Sequence, residues 1–283
     1  MNKIPEITIH NSLSLPVIGL GTWEMGGRQS PDKQHDSKWI DAIETAIGMG
    51  IRHIDTAAIY GGGHTETLVG EAIRNFNRND YFITTKVSGE HLQFADVIRS
   101  VKSSKNRLKV EQIDMLLLHW PSPTVPLEQT ISAITKLFDD GLIRYFGLSN
   151  FPVKTIREIG FYTDAPIITN QLEYNLFNRN QGIYTPNVES EIIPFCLKNG
   201  ISITAWRPLL KGDTTTVAHP LLDSIAAKYG KTVFQIMLNW LIHKPMMMAI
   251  PRMGSADHIK QNIEALHFNM EEEDILLLDG IAK

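Results

Sequence analysis

The chain has 283 residues, of which 43% are hydrophobic, 20% charged and 8% aromatic, which provides for a large core and gives no sign of extended disorder. Its 27 Lys and Arg against 31 Asp and Glu leave a formal charge of -4, which excludes a nucleic-acid stripe or a polybasic membrane surface. A lone cysteine, Cys196, rules out an internal disulfide, and the ten histidines contain no His-Glu-x-x-His pattern, so no metal is assigned.

The opening residues lack the apolar stretch of a secretion signal, and no run is long enough to span a bilayer. A cytoplasmic protein is therefore expected. No linker or low-complexity segment divides it, so residues 1–283 are read as one domain.

In chain order, Ile7-Thr8-Ile9 and Leu13-Ser14-Leu15 flank His10-Asn11-Ser12 and read as a hairpin. Their alternation suits a plug against a barrel mouth. Short β-rich runs then alternate with stretches of helical period. The strands are expected at 17–20, 53–56, 82–86, 113–119, 143–148, 167–170, 202–205 and 247–250. Helices are expected at 39–47, 65–76, 95–108 and 127–138, with one beyond the alternation at 232–243 and a last at 271–281. Such alternation predicts parallel strands with crossover helices. Eight strands satisfy an open sheet or a closed one; the expectation is a (β/α)8 TIM barrel with an N-terminal hairpin plug and additional C-terminal helices. Cys196, in an apolar helical run, reads as a buried helix residue, and Met246-Met247-Met248 as barrel filler.

Almost every run stops at a residue that packing alone would not choose. Asp55, Lys86, His119, Ser149-Asn150, Asn170-Gln171, Trp206-Arg207 and Pro251-Arg252 fall at successive strand ends. In a closed barrel such residues converge on the C-terminal rim, where barrel enzymes carry their active sites. Asp55 and Lys86, on consecutive strands, can form an ion pair. Tyr60 opens the loop Gly61-Gly62-Gly63, which lets its ring bend back over the mouth. A phenol has an ordinary pKa of about 10, and a nearby ammonium is expected to lower it. With His119 orienting a substrate oxygen, these groups would polarise a carbonyl and deliver a proton as a hydride arrives at carbon.

The segments Gly19-Leu20-Gly21-Thr22-Trp23, Asp55-Thr56-Ala57-Ala58-Ile59-Tyr60, Thr85-Lys86-Val87 and Leu117-Leu118-His119-Trp120-Pro121 belong to one ordered set. Gly147-Leu148-Ser149-Asn150-Phe151, Asn170-Gln171-Leu172-Glu173-Tyr174-Asn175 and Ile250-Pro251-Arg252 complete it. In this order and spacing the chain resembles the aldo-keto reductases. The resemblance implies a TIM barrel whose dinucleotide site lacks the Rossmann fingerprint, in keeping with Gly19-Leu20-Gly21 being followed by Glu24 and no third glycine. It implies NADPH-dependent reduction of aldehydes and ketones, with NADH a weaker alternative. The tetrad it implies is Asp55, Tyr60, Lys86 and His119, with Tyr60 the general acid.

The same resemblance implies that Ser149, Asn150 and Gln171 hold the nicotinamide carboxamide and that Trp206 stacks on the ring, where relatives mostly have Tyr. Thr22, Trp23, Arg207, Pro208, Leu209, Ile250 and Pro251 are implied to line the cofactor channel. Arg252, Met253, His258, Gln261 and Asn262 are implied at the adenosine end, where Met253 replaces a serine and His258 an arginine. Trp23 and Trp120, with Tyr60 and His119, are implied to face a small-molecule carbonyl substrate. No nucleic-acid or membrane partner is expected of a monomer or small homo-oligomer. Two other readings stay open: a lyase using Lys86 as a Schiff base, and a nicotinamide-sensing binding subunit with slow turnover.

Overall fold

The computed structural model describes residues 3–10, 13–182 and 184–281. Strands β1 (Glu6–His10) and β2 (Leu13–Pro16) pair antiparallel as the hairpin. Its expected turn residues Asn11 and Ser12 lie outside the described residues. Eight parallel strands follow: β3 (Leu20–Gly21), β4 (His53–Asp55), β5 (Phe82–Val87), β6 (Ile113–Leu118), β7 (Ile143–Ser149), β8 (Ile167–Glu173), β9 (Ser202–Trp206) and β10 (Met247–Ala249). They pair in sequence order, each with the next.

The two ends of this sheet meet. The Ala249 amide donates to the Val17 carbonyl at 2.9 Å, and the Gly19 amide donates to the Ala249 carbonyl at 2.8 Å. The sheet thus curls back on itself, as a (β/α)8 barrel requires. Gly21 sits at this seam because a Cβ there would come within 2.5 Å of the Ile250 carbonyl oxygen. The first strand was expected at 17–20. Its ladder is displaced toward Gly21, and Ile18 makes only an isolated bridge to Ala249.

Ten α-helices occur among the described residues: α1 (Asp36–Gly48), α2 (His64–Ile73), α3 (Phe94–Leu108), α4 (Leu127–Asp139), α5 (Val153–Ile159), α6 (Ile193–Lys198), α7 (Pro220–Tyr229), α8 (Val233–Ile242), α9 (Ala256–Glu264) and α10 (Glu272–Asp279). Thr232 starts α8 through a capping box with Gln235, and α8 is the helix additional to the alternation. Cys196 is buried on α6, and burial pushes its thiol up to about 12, so it stays unreactive.

Two apolar clusters divide the interior. The larger lies between the strands and the helices that cover them, as a parallel sheet demands. The smaller joins Ile9, Leu13 and Leu15 of the hairpin to Phe82, Met115, Ile168 and Met248 near the strand starts. The hairpin therefore closes the N-terminal mouth. Above it the barrel interior turns polar: His53 shares a hydrogen bond with Thr84 (2.9 Å), and Thr169 with Thr204 (2.9 Å). No helix is long and apolar enough to cross a membrane, among the described residues.

Candidate active site

Three strands deliver the central charges. β4 ends at Asp55, β5 carries Lys86 one residue from its end, and His119 follows β6. After Asp55 the chain turns through Gly61, Gly62 and Gly63, all at positive φ (55°, 62° and 95°), a region that costs glycine least. A Cβ on Gly61 would lie 2.7 Å from the Gly26 carbonyl. This loop folds Tyr60 back over the barrel mouth.

The buried Lys86 ammonium spends its three protons on three acceptors. Nζ donates to Asp55 Oδ1 at 2.5 Å, to the Thr56 carbonyl at 2.9 Å and to the Tyr60 hydroxyl at 3.1 Å. Gln171 Nε2 donates to the other Asp55 oxygen at 2.7 Å, so the carboxylate is held from both sides. The Trp23 ring meets Tyr60 edge-on with centroids 4.8 Å apart, and the His119 ring lies 5.8 Å from Tyr60. His119 in turn packs on Trp120 at 4.5 Å.

Burial opposes the charge on Lys86, yet Asp55 and the Tyr60 oxygen outweigh it and hold the ammonium above its ordinary range. For Tyr60 the outcome differs from the sequence expectation. Burial raises the phenol by more than the Lys86 charge lowers it, and Asp55 adds to the rise. Sequence supplies the charges but not the depth at which they sit. Burial, followed by Lys86, holds His119 well below its ordinary value, so it is a neutral imidazole whose Nδ1 has no partner among the described residues.

These groups face a cavity of about 970 Å³ on the C-terminal rim, a size suited to a bound small molecule. It is lined by Thr22, Trp23, Asp55, Tyr60, His119, Trp120, Ser149, Asn150 and Gln171, then by Trp206, Arg207, Pro208, Leu209, Ile250, Pro251, Arg252, His258, Gln261 and Asn262. Two expected residues do not line it. Lys86 stands behind Tyr60, and Met253 is fully buried in the core, so the expectation of a Met253 cofactor contact is not supported by its position. Asn170 does not line it either; it brackets the Phe151 backbone through Oδ1 (3.4 Å) and Nδ2 (2.9 Å). The strand bearing Asn170 and Gln171 continues past both, to Glu173.

Asn150 adopts a positive φ of 62°, which Asn tolerates, and its side chain is tied on both atoms. Nδ2 donates to the His119 carbonyl and Ser149 Oγ, each at 3.0 Å, while Oδ1 accepts from Trp206 Nε1 at 3.1 Å. The Trp206 ring is thus oriented by the amide beside it.

Several lining residues were not visible in the sequence. Glu24 gathers Arg28 (3.0 Å), Arg252 (2.8 Å) and Lys211 (3.7 Å) around one carboxylate. Tyr184 stacks on Trp120 with centroids 5.8 Å apart and planes 10° apart. Ser255 caps α9 by accepting from the His258 amide, and Lys38 and Trp39 come from α1. The Ser-x-x start of α9 was a weak cue at most.

His53, two residues before Asp55, supplies a test of the charged interior. Burial holds its imidazole down at about 4, against an ordinary 6.5. Between these values the unfolded chain binds a proton that the folded chain refuses. Stability is therefore level above pH 6.5 and falls as the pH drops toward 4, by up to about 3 kcal/mol from this residue. Thermal melts from pH 7 to 4 should show this slope, and His53→Gln should flatten it in part, since His119 shares its sign. An unchanged slope in the variant would reject the assignment.

The aldo/keto reductase family profile matches residues 17–283. Methylglyoxal reductase YeaE of Escherichia coli is 29% identical, covering 96% of this chain and 93% of its own. Among solved structures, the thermostable aldo-keto reductase Tm1743, in complex with the inhibitor epalrestat, superposes with a TM-score of 0.91 at 38% identity, over 98% of this chain and 100% of its own. An aldo-keto reductase from Klebsiella pneumoniae in complex with NADPH gives 0.86 at 32%, over 95% and 91%.

Proposed function

The chain belongs to the aldo/keto reductase family and is an NAD(P)H-dependent oxidoreductase, and we propose that it reduces small aldehydes and dicarbonyls with NADPH, using Tyr60 as general acid. The observation that carries this reading is the Lys86 ammonium bonded at once to Asp55 and to the Tyr60 hydroxyl, beneath a cavity that His119 also faces.

The residues present fit a nicotinamide dinucleotide. Gln171 must turn its nitrogen toward the Asp55 carboxylate, which can only accept, so its side-chain oxygen is left as an acceptor. The Ser149 hydroxyl, which accepts from Asn150, keeps its proton to donate. Together they offer the donor and acceptor that a carboxamide requires, beside the indole of Trp206. When bound, the reduced dinucleotide supplies the hydride.

The remaining chemistry belongs to the chain. Neutral His119 is suited to donate an N–H to the substrate oxygen and orient it. Because burial keeps Tyr60 protonated, a proton is present at its hydroxyl when the substrate oxygen gains alkoxide character. Transfer leaves a phenolate facing Lys86 at 3.1 Å, where the ammonium offsets the new charge. Asp55 and Gln171 keep that ammonium in place.

Trp23, Trp120 and Tyr184 give the substrate end an aromatic wall. Among the described residues, α10 does not line it and is drawn to α7 through Asp274, which accepts from Lys228 (2.8 Å) and Tyr229 (2.5 Å). This openness supports a broad range of small carbonyls. The Schiff-base reading is disfavoured because all three Lys86 protons are engaged and its charge is held.

A panel of aldehydes, ketones and dicarbonyls followed by NADPH absorbance tests the reading, with NADH in parallel. Turnover with small aldehydes, more efficient with NADPH, is expected. A stronger response to NADH would overturn the cofactor preference. Tight NADPH binding without turnover of any carbonyl would favour the sensing subunit instead.

A further inference from the structure

If NADPH places its nicotinamide near Tyr60 and His119, the other end of the cavity receives the adenosine and its 2′-phosphate. The cavity lining there includes Arg252, Ser255 and His258, together with Lys38 and Trp39 of α1. Arg252 is already shared with a carboxylate, since Glu24 lies 2.8 Å from its Nη1. Lys38 has no carboxylate within ion-pairing distance among the described residues. Its ammonium stands over the Trp39 ring, 4.8 Å from the centroid.

Trp39 abuts the loop between β10 and α9. A Cβ on Gly254 would lie 3.2 Å from Trp39 Cζ3, so the ring props Lys38 beside the segment that carries Arg252, Ser255 and His258. We propose that Lys38 is a specificity-determining residue that contacts the 2′-phosphate of NADPH, supplying a second full cation at a site where the β10–α9 loop and the start of α9 provide only Arg252 and a histidine. An ammonium on a flexible stem is a point charge well suited to a phosphate dianion. The proposal rests on the NADPH reading above.

The test separates the two. Calorimetric titration with adenosine 2′,5′-bisphosphate and with AMP reads the 2′-phosphate contact without any turnover. Lys38→Gln is expected to weaken the bisphosphate about tenfold, the loss of one charge-assisted contact, and to leave AMP within twofold. Lys38→Arg should retain most of the affinity. In steady state, KM for NADPH should rise by a similar factor while kcat and the NADH constants hold. A bisphosphate affinity within twofold of the unaltered protein, or an equal loss for AMP, would overturn the assignment. Failure of the unaltered protein to reduce any carbonyl would sink the reductase reading, while the bisphosphate comparison would still judge Lys38.

Discussion

Tyr60→Phe is expected to lower kcat for carbonyl reduction by about 10³-fold while leaving the NADPH dissociation constant within twofold. The change removes a single oxygen. The ring keeps its edge contact with Trp23, and the cavity keeps its shape. What is lost is the proton donor, and a positioned general acid contributes roughly 10²–10⁴-fold. Lys86 retains Asp55 and the Thr56 carbonyl as acceptors, so its charge and place should persist. Single-turnover measurement at saturating NADPH, with binding followed separately by fluorescence, distinguishes lost chemistry from lost affinity. A variant with a tenth or more of the original rate would show that another group, or water, delivers the proton.

The second large effect is on stability and lies beneath the glycine loop. Glu66 on α2 is fully buried, accepting from Thr85 Oγ1 at 2.6 Å and from Arg107 Nε at 2.7 Å. Arg107, near the end of α3, also touches the loop itself: a Cβ on Gly63 would lie 2.9 Å from its Nε. Arg107→Met strands a carboxylate in the interior, a change that costs about 3–5 kcal/mol. Replacing both partners, Glu66→Met with Arg107→Met, removes the stranded charge and should recover most of that loss. Urea midpoints of the single and double variants, compared at constant slope, measure the coupling. If the double variant proved as unstable as the single one, the ion pair would be a net stabiliser and not a mutually dependent couple.

Much of this architecture could be read from the sequence because it repeats. The alternation of short β-rich runs and helical periods located all eight strands, and the polar residues at their ends pointed to the rim. Boundaries suffered where polar residues sit inside strands. Gln171 and Trp206 lie within β8 and β9, since a barrel interior accepts groups that hydrogen-bond to one another. What the sequence concealed depends on loops that cross the mouth. Glu24 and Tyr184 approach residues far away in the chain, and no period marks such meetings. Met253 illustrates the converse, because one residue's rotation in a loop decides between cavity and core. The Tyr60 shift belongs to the same class: its charged neighbours were legible, but the sign was not, because it depends on how completely the surroundings exclude water.

The hairpin gives the barrel a floor. With Ile9, Leu13 and Leu15 seated among the strand starts, the barrel resembles a cup more than a pipe. Solvent, substrate and cofactor must all enter and leave by the rim. The loops there can change length and character under one set of evolutionary demands, while the sealed base answers only to the requirement that the vessel not leak.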